Sequence, residues 1–140
     1  MKLALLAIFL ALPLVGQTLV NPSCPNATAA AGVMPHCVTL TWVAPTNGAT
    51  GYNIYRETTS GTCKTSLTAT GCTKVTATPV TATTFTDNSS TTNALSEGVT
   101  YFYVATSLIG SGESAPSTET SGTFPAIVPT APSNLSGVFH

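Results

Sequence analysis

Charge is what this 140-residue chain has least of. Asp, Glu, Lys and Arg make up 6% of it, with four cations, five carboxylates and a formal net charge of -1, against roughly 25% charged residues in an average soluble protein. Beyond Lys2 the cations are Arg56, Lys64 and Lys74. A nucleic-acid surface needs a basic stripe, because phosphate neutralisation supplies most of the affinity. Three scattered cations cannot make one, so no nucleic acid is expected as a partner. A polybasic membrane patch fails on the same count. Histidine is scarce too, at His36 and His140. The chain has no G-x-S-x-G, no H-E-x-x-H and no phosphate-cradling glycine loop. It is therefore read as not an enzyme, with no catalytic, cofactor-binding or metal-ligating residue and no cofactor. His36-Cys37 is the one pair with metal-ligand chemistry, but its spacing matches no zinc pattern.

In place of charge the chain carries Thr, Ser and 43% apolar residues. Low charge with ordinary hydrophobicity is not a disorder signature. Thr in abundance suits the solvent face of short strands, where a β-branched side chain fits the pleat.

The N-terminus reads as an address. Met1-Lys2 precedes LALLAIFLALPLVG, a charged start followed by an apolar core of signal-peptide length. It falls short of the roughly 20 residues that span a bilayer comfortably. Residues 1–18 are assigned as a signal peptide, 19–125 as the domain, and 126–140 as a proline-rich linker with the start of a further strand. After signal cleavage no membrane association is expected. The chain is placed outside the cell or at its surface.

That placement gives Cys24, Cys37, Cys63 and Cys72 a meaning, because an even cysteine count in an exported chain reads as disulfides. Four cysteines allow three connectivities. The local pairs Cys24–Cys37 and Cys63–Cys72 are favoured, since each closes one hairpin-sized segment.

The central stretch is VTLTWVAPTNGATGYNIYR, Val38 to Arg56. Val38, Leu40 and Trp42 alternate with Thr39 and Thr41, so His36 to Val43 reads as a half-buried strand. Gly51 to Glu57 reads as the next, with Tyr52 and Ile54 inward and Arg56 near its exit. A weaker strand falls between Pro79 and Asp87 around Phe85, with Asp87 as a turn cap. Thr100 to Ser107 is the clearest late strand, with Tyr101, Tyr103 and Ala105 on one face. Ala115 to Phe124 is the last. A short edge strand is expected near Asn26 to Ala31, and Thr58 to Thr78 is read as a polar loop or hairpin holding the second cysteine pair. No helix of consequence is expected.

VTLTW, GYNIYR, TTFTD, LSEGVTYFYV and GESAPS occur in that order. The series resembles a fibronectin type III domain of the bacterial extracellular kind. That resemblance implies an all-β, immunoglobulin-like β-sandwich of about seven antiparallel strands. It implies a core of Trp42, Tyr52, Ile54, Phe85, Leu95, Tyr101 and Tyr103, with Leu95 and Tyr101 forming a tyrosine corner. The four cysteines depart from the usual pattern of that family.

The functional expectation is an exported, non-catalytic interaction or structural module for surface or extracellular attachment. Its partner would be a protein or an extracellular polysaccharide. The alternatives are a carbohydrate-binding accessory module and a phage or virion structural protein. If alternation holds, Tyr55 and Phe102 face away from the core and form the candidate binding surface, since outward aromatics stack on sugars or proteins. Residues Ala131 to Val138 look like a lone β-competent strand, which could join the sheet edge of another copy in self-association. Asn26-Ala-Thr28, Asn88-Ser-Ser90 and Asn134-Leu-Ser136 fit the glycosylation acceptor pattern.

Overall fold

Alternation of apolar and hydroxyl side chains dictates strands through most of the chain, and the strands sort into two sheets. The computed structural model describes residues 23–24, 26–29, 33–90 and 93–126, with 128, 133 and 136. The signal-like stretch 1–18 and most of the 126–140 segment lie outside the described residues. The elements are β1 (Cys37–Thr41), β2 (Gly51–Glu57), α1 (Thr62–Thr65), β3 (Thr73–Lys74), β4 (Thr84–Asn88), β5 (Thr100–Ile109), β6 (Gly112–Glu113) and β7 (Thr120–Thr123). β1 pairs with β4 in a two-stranded sheet, and β3-β2-β5-β6 form the second sheet, with β7 also on β5. Every strand pairing is antiparallel. The fold is an all-β sandwich.

The register of β2 against β5 places Ile54 opposite Ala105 and Arg56 opposite Tyr103. Ile54, Leu95, Tyr101 and Tyr103 are buried together, and Val38, Leu40, Trp42, Phe85 and Phe124 pack against them. Tyr101 makes the corner that its position implied. Its phenol oxygen accepts from the Ser96 N–H at 2.9 Å and reaches back to the Ala94 carbonyl at 3.5 Å. The loop crossing between the sheets is thereby tied to β5.

Several elements differ from the expectation. Trp42 and Phe85 are half-buried flank residues rather than the centre of the core. Trp42 lies one residue past β1 and meets Tyr52 edge to face, with ring centroids 5.2 Å apart. Pro79 to Thr83 forms no strand, only a bridge between Val80 and Tyr52. The described residues 26–29 form no edge strand; the Thr28 N–H instead donates to the Ser89 carbonyl at 2.8 Å. Disulfides join Cys24 to Cys37 and Cys63 to Cys72.

The largest departure is the segment after β2. It is not a free hairpin. A single helical turn, α1, and the Cys63–Cys72 bridge fold it back onto the outer face of the larger sheet. Cys63, fully buried, packs there against Tyr55 and Val104, with Leu67 and Cys72 beside them. The molecule therefore has a third layer over part of one sheet.

Candidate functional site

Three places concentrate chemistry: a polar cluster inside the sandwich, a second cluster on the outer face of the larger sheet, and an open groove between the sheets.

Inside, β2 points Arg56 inward and β4 points Asp87 to meet it. The guanidinium donates to Asp87 Oδ2 at 2.8 Å, with the two side chains 11% and 3% exposed. The Tyr103 phenol donates to the same oxygen at 3.0 Å, and the Asn93 amide donates to Asp87 Oδ1 at 3.1 Å. Arg56 also donates to the Asn93 side-chain oxygen and lies over the Tyr101 ring, 5.2 Å from its centroid. Burial pushes the Tyr103 phenol well above the usual tyrosine range, and the adjacent Asp87 charge adds to it. A buried charge is tolerable only when paired and hydrogen-bonded, and this one is both. Asp87 is thus a core anchor in β4 rather than the turn cap expected from its place near a strand end.

On that outer face, beginning at Tyr55 beside the flap, β2 and β5 present Asn53, Tyr55 and Thr106, all buried. They converge on one oxygen of Glu113 in β6. Asn53 donates to Glu113 Oε1 at 3.0 Å, the Tyr55 phenol at 2.8 Å and the Thr106 hydroxyl at 2.5 Å. Burial first, then the Glu113 contact, pushes the Tyr55 phenol up to about 12, so it remains a neutral donor. Partial burial raises the Glu113 carboxyl, but the Thr106, Asn53 and Tyr55 donors and the nearby Lys74 charge outweigh it and hold it below the usual 4.5.

A carboxyl with a depressed folded pKa stabilises the fold above its unfolded pKa, and that contribution fades as pH falls through the folded value. Glu113→Gln should therefore be less stable than the parent at neutral pH, with the gap closing as pH drops below 4.5. Urea midpoints measured from neutral to acid pH check this. A gap independent of pH would show that the carboxylate charge contributes nothing.

The flap is also latched from its own side. Glu57 accepts from the Cys63 N–H. Glu119 accepts from the Ser60 hydroxyl at 2.7 Å and the Gly61 N–H at 2.8 Å, and these two donors hold its carboxyl below the usual range.

These contacts overturn the assignment of Tyr55 as an outward binding residue. Alternation does turn it away from the sandwich core, but the flap covers it, leaving it 6% exposed. Phe102, on the same face, is half-buried. The two do not form an exposed aromatic platform. His36 lies one residue before β1, buried, and stacks on Phe124 with centroids 4.6 Å apart.

The groove lies where the two sheets part along one side. Leu40 to Val43 form one wall and Ser117 to Thr120 the other, with Ile54, Tyr103 and Ala105 below; it encloses about 380 Å³. It continues past Trp42 into a second hollow of about 200 Å³ walled by Tyr52, Ser114 and Ala115. Trp42 and Val43 line both. The Trp42 indole N–H is buried and has no hydrogen-bond partner among the described residues. Sequence reasoning put Trp42 in the core and missed the groove.

No protein-family profile matches the chain, and no curated protein sequence does. Among solved structures the chain is similar to a Fn3-like protein from Clostridium thermocellum. The identity is 25% and the TM-score 0.49, over 81% of this chain and 91% of that one.

Proposed function

We propose that the chain is an exported, non-catalytic module with a structural or attachment role outside the cell. One observation carries this reading: the carboxylates are spent on holding the fold. Asp87 neutralises Arg56, Glu113 gathers three donors, Glu57 and Glu119 latch the flap, and Glu97 sits 3.7 Å from His36. Glu119 borders the open groove near Ser117, but its two oxygens are taken by Ser60 and Gly61 and no described histidine lines the groove, so the base that would activate a hydroxyl there is missing from its lining. The two disulfides fit an oxidising compartment, and the signal-like N-terminus supports export. A platform for stacking sugars loses Tyr55 to the flap, which weakens the accessory carbohydrate-binding alternative.

The test is fractionation of cells producing the full chain, with thiols trapped by alkylation at lysis. The chain should appear in the medium or on the surface, cut by protease added to intact cells, with every cysteine unalkylated. Recovery from the cytosol with four alkylated thiols would overturn the reading.

A further inference from the structure

We infer that Asn47 is a self-modifying position: its side-chain amide is lost to attack by the Gly48 nitrogen, and the loop between β1 and β2 gains a carboxylate.

The chemistry needs water and a permissive loop, with no enzyme and no exchange of electrons. The backbone nitrogen that follows an asparagine attacks the side-chain carbonyl carbon, Cγ. An N–Cγ bond forms, the bond from Cγ to the amide nitrogen breaks, and the amide leaves as ammonia with the proton that the attacking nitrogen gives up. The product is a five-membered succinimide. Water then opens the ring at one of its two carbonyls. Opening at Cγ leaves Asp, and opening at the backbone carbonyl leaves isoaspartate, in which the main chain runs through the side chain. Asparagine counts among the thermolabile residues, but the ring closes only where the amide is unbonded, the next N–H is unbonded and the chain has room to turn.

Asn47 meets all three conditions. It is exposed, in the turn Thr46 to Gly48. Among the described residues, nothing hydrogen-bonds its side chain or the Gly48 N–H. Gly48 sits at φ 78°, which glycine adopts freely, and even a Cβ placed there would have no neighbour within 4 Å. The attacking nitrogen therefore carries no side chain to obstruct it and moves in open space.

Each of the other described asparagines fails. After Asn26 the Ala27 N–H donates to the Cys24 carbonyl at 3.0 Å, and after Asn88 the Ser89 N–H donates to the His36 carbonyl at 2.9 Å. Asn53 is buried; its amide donates to Glu113 at 3.0 Å, and the following Ile54 N–H donates to the Thr76 hydroxyl at 3.2 Å. The Asn93 side chain is held at both ends, by Arg56 and by Asp87. The fold thus protects four positions and leaves Asn47 open.

The new carboxylate would stand in a sensitive place. Asn47 borders a hollow of about 240 Å³ that Ser107, Ile109 and Glu113 also line, so it would face the carboxylate that gathers Asn53, Tyr55 and Thr106. One more negative charge takes the formal net charge from -1 to -2.

The test is incubation of the folded full chain at mildly alkaline pH, followed by fragment-ion mass mapping. Residue 47 should gain about 1 Da, the mass of an amide turned acid, and should appear as two separable products, isoaspartate and Asp. Asn47→Gln should form neither at a comparable rate, because the larger ring it needs closes far more slowly. Gly48→Ala should slow the gain about tenfold or more, since the attacking nitrogen then carries a methyl-bearing carbon. The inference is overturned if the folded chain forms no isoaspartate at 47 under conditions where the urea-unfolded chain does. It is equally overturned if Asn26, Asn53, Asn88 or Asn93 gains mass as fast as residue 47.

Discussion

Asp87→Ala should cost about 3–5 kcal/mol of folding stability, the range for removing one partner of a buried ion pair. The damage is not a lost attraction. It is what remains: a guanidinium, a phenol and an amide, all aimed at a carboxylate that is gone. Arg56 would keep only the Asn93 side-chain oxygen, and Tyr103 would be left with a buried hydroxyl that had donated to Asp87. A domain of this size is typically stable by about 5–15 kcal/mol, so the variant should populate unfolded chain under mild conditions. Replacing both partners with apolar residues, as Arg56→Met with Asp87→Leu, should recover much of the loss, because it removes the orphaned charge as well as the pair. The signature is strong non-additivity in urea midpoints across the four proteins. A loss below about 1 kcal/mol for Asp87→Ala would mean that water reaches the cluster and that the pair behaves like a surface one.

Replacing Cys63 and Cys72 together with serine should cost about 2.5–3 kcal/mol from the freed loop alone, given a sequence separation of 9. The consequence exceeds the loop term because this bridge supplies part of the cover over Tyr55 and Val104. Without it the flap should open while the sandwich beneath stays folded. Limited trypsin digestion distinguishes the two outcomes. Cleavage after Lys64, with Arg56 in β2 still protected, is the expected pattern, since Lys64 is exposed and sits on the flap while Arg56 is enclosed in the sandwich. Uniform digestion of the variant would show that flap and sandwich unfold as one unit. Cleavage no faster than in the parent would show that Glu57 and Glu119 hold the flap unaided.

What the sequence could show depends on the range of the interaction concerned. β2 was legible to the residue, Gly51 to Glu57, because alternation is a local signal and Tyr52 and Ile54 carry it. The corner at Tyr101 was legible from a few neighbouring residues. Tyr55 was misplaced because alternation says only which face a residue occupies and not whether something covers that face. The clue lay further along, in two cysteines bracketing Leu67 within an otherwise polar stretch. The Arg56–Asp87 pair joins positions 31 residues apart, with no spacing rule to connect them. Glu113 is further still from Asn53 and Tyr55, and it is brought to them only by the β5–β6 turn. The groove is a property of two sheet edges together, and no single stretch of sequence contains it.

The burial of Arg56 also alters how the molecule would cling to anything. Of the four cations in the chain, this one is enclosed, and among the described residues only Lys64 and Lys74 remain on the surface. Adhesion driven by opposite charges dissolves in brine, because screening shortens its reach to a few ångströms. A surface this poor in ions holds by backbone ladders and apolar contact or not at all. A high-salt wash should leave such a bond intact, whereas urea, which solvates both peptide and apolar groups, should release it.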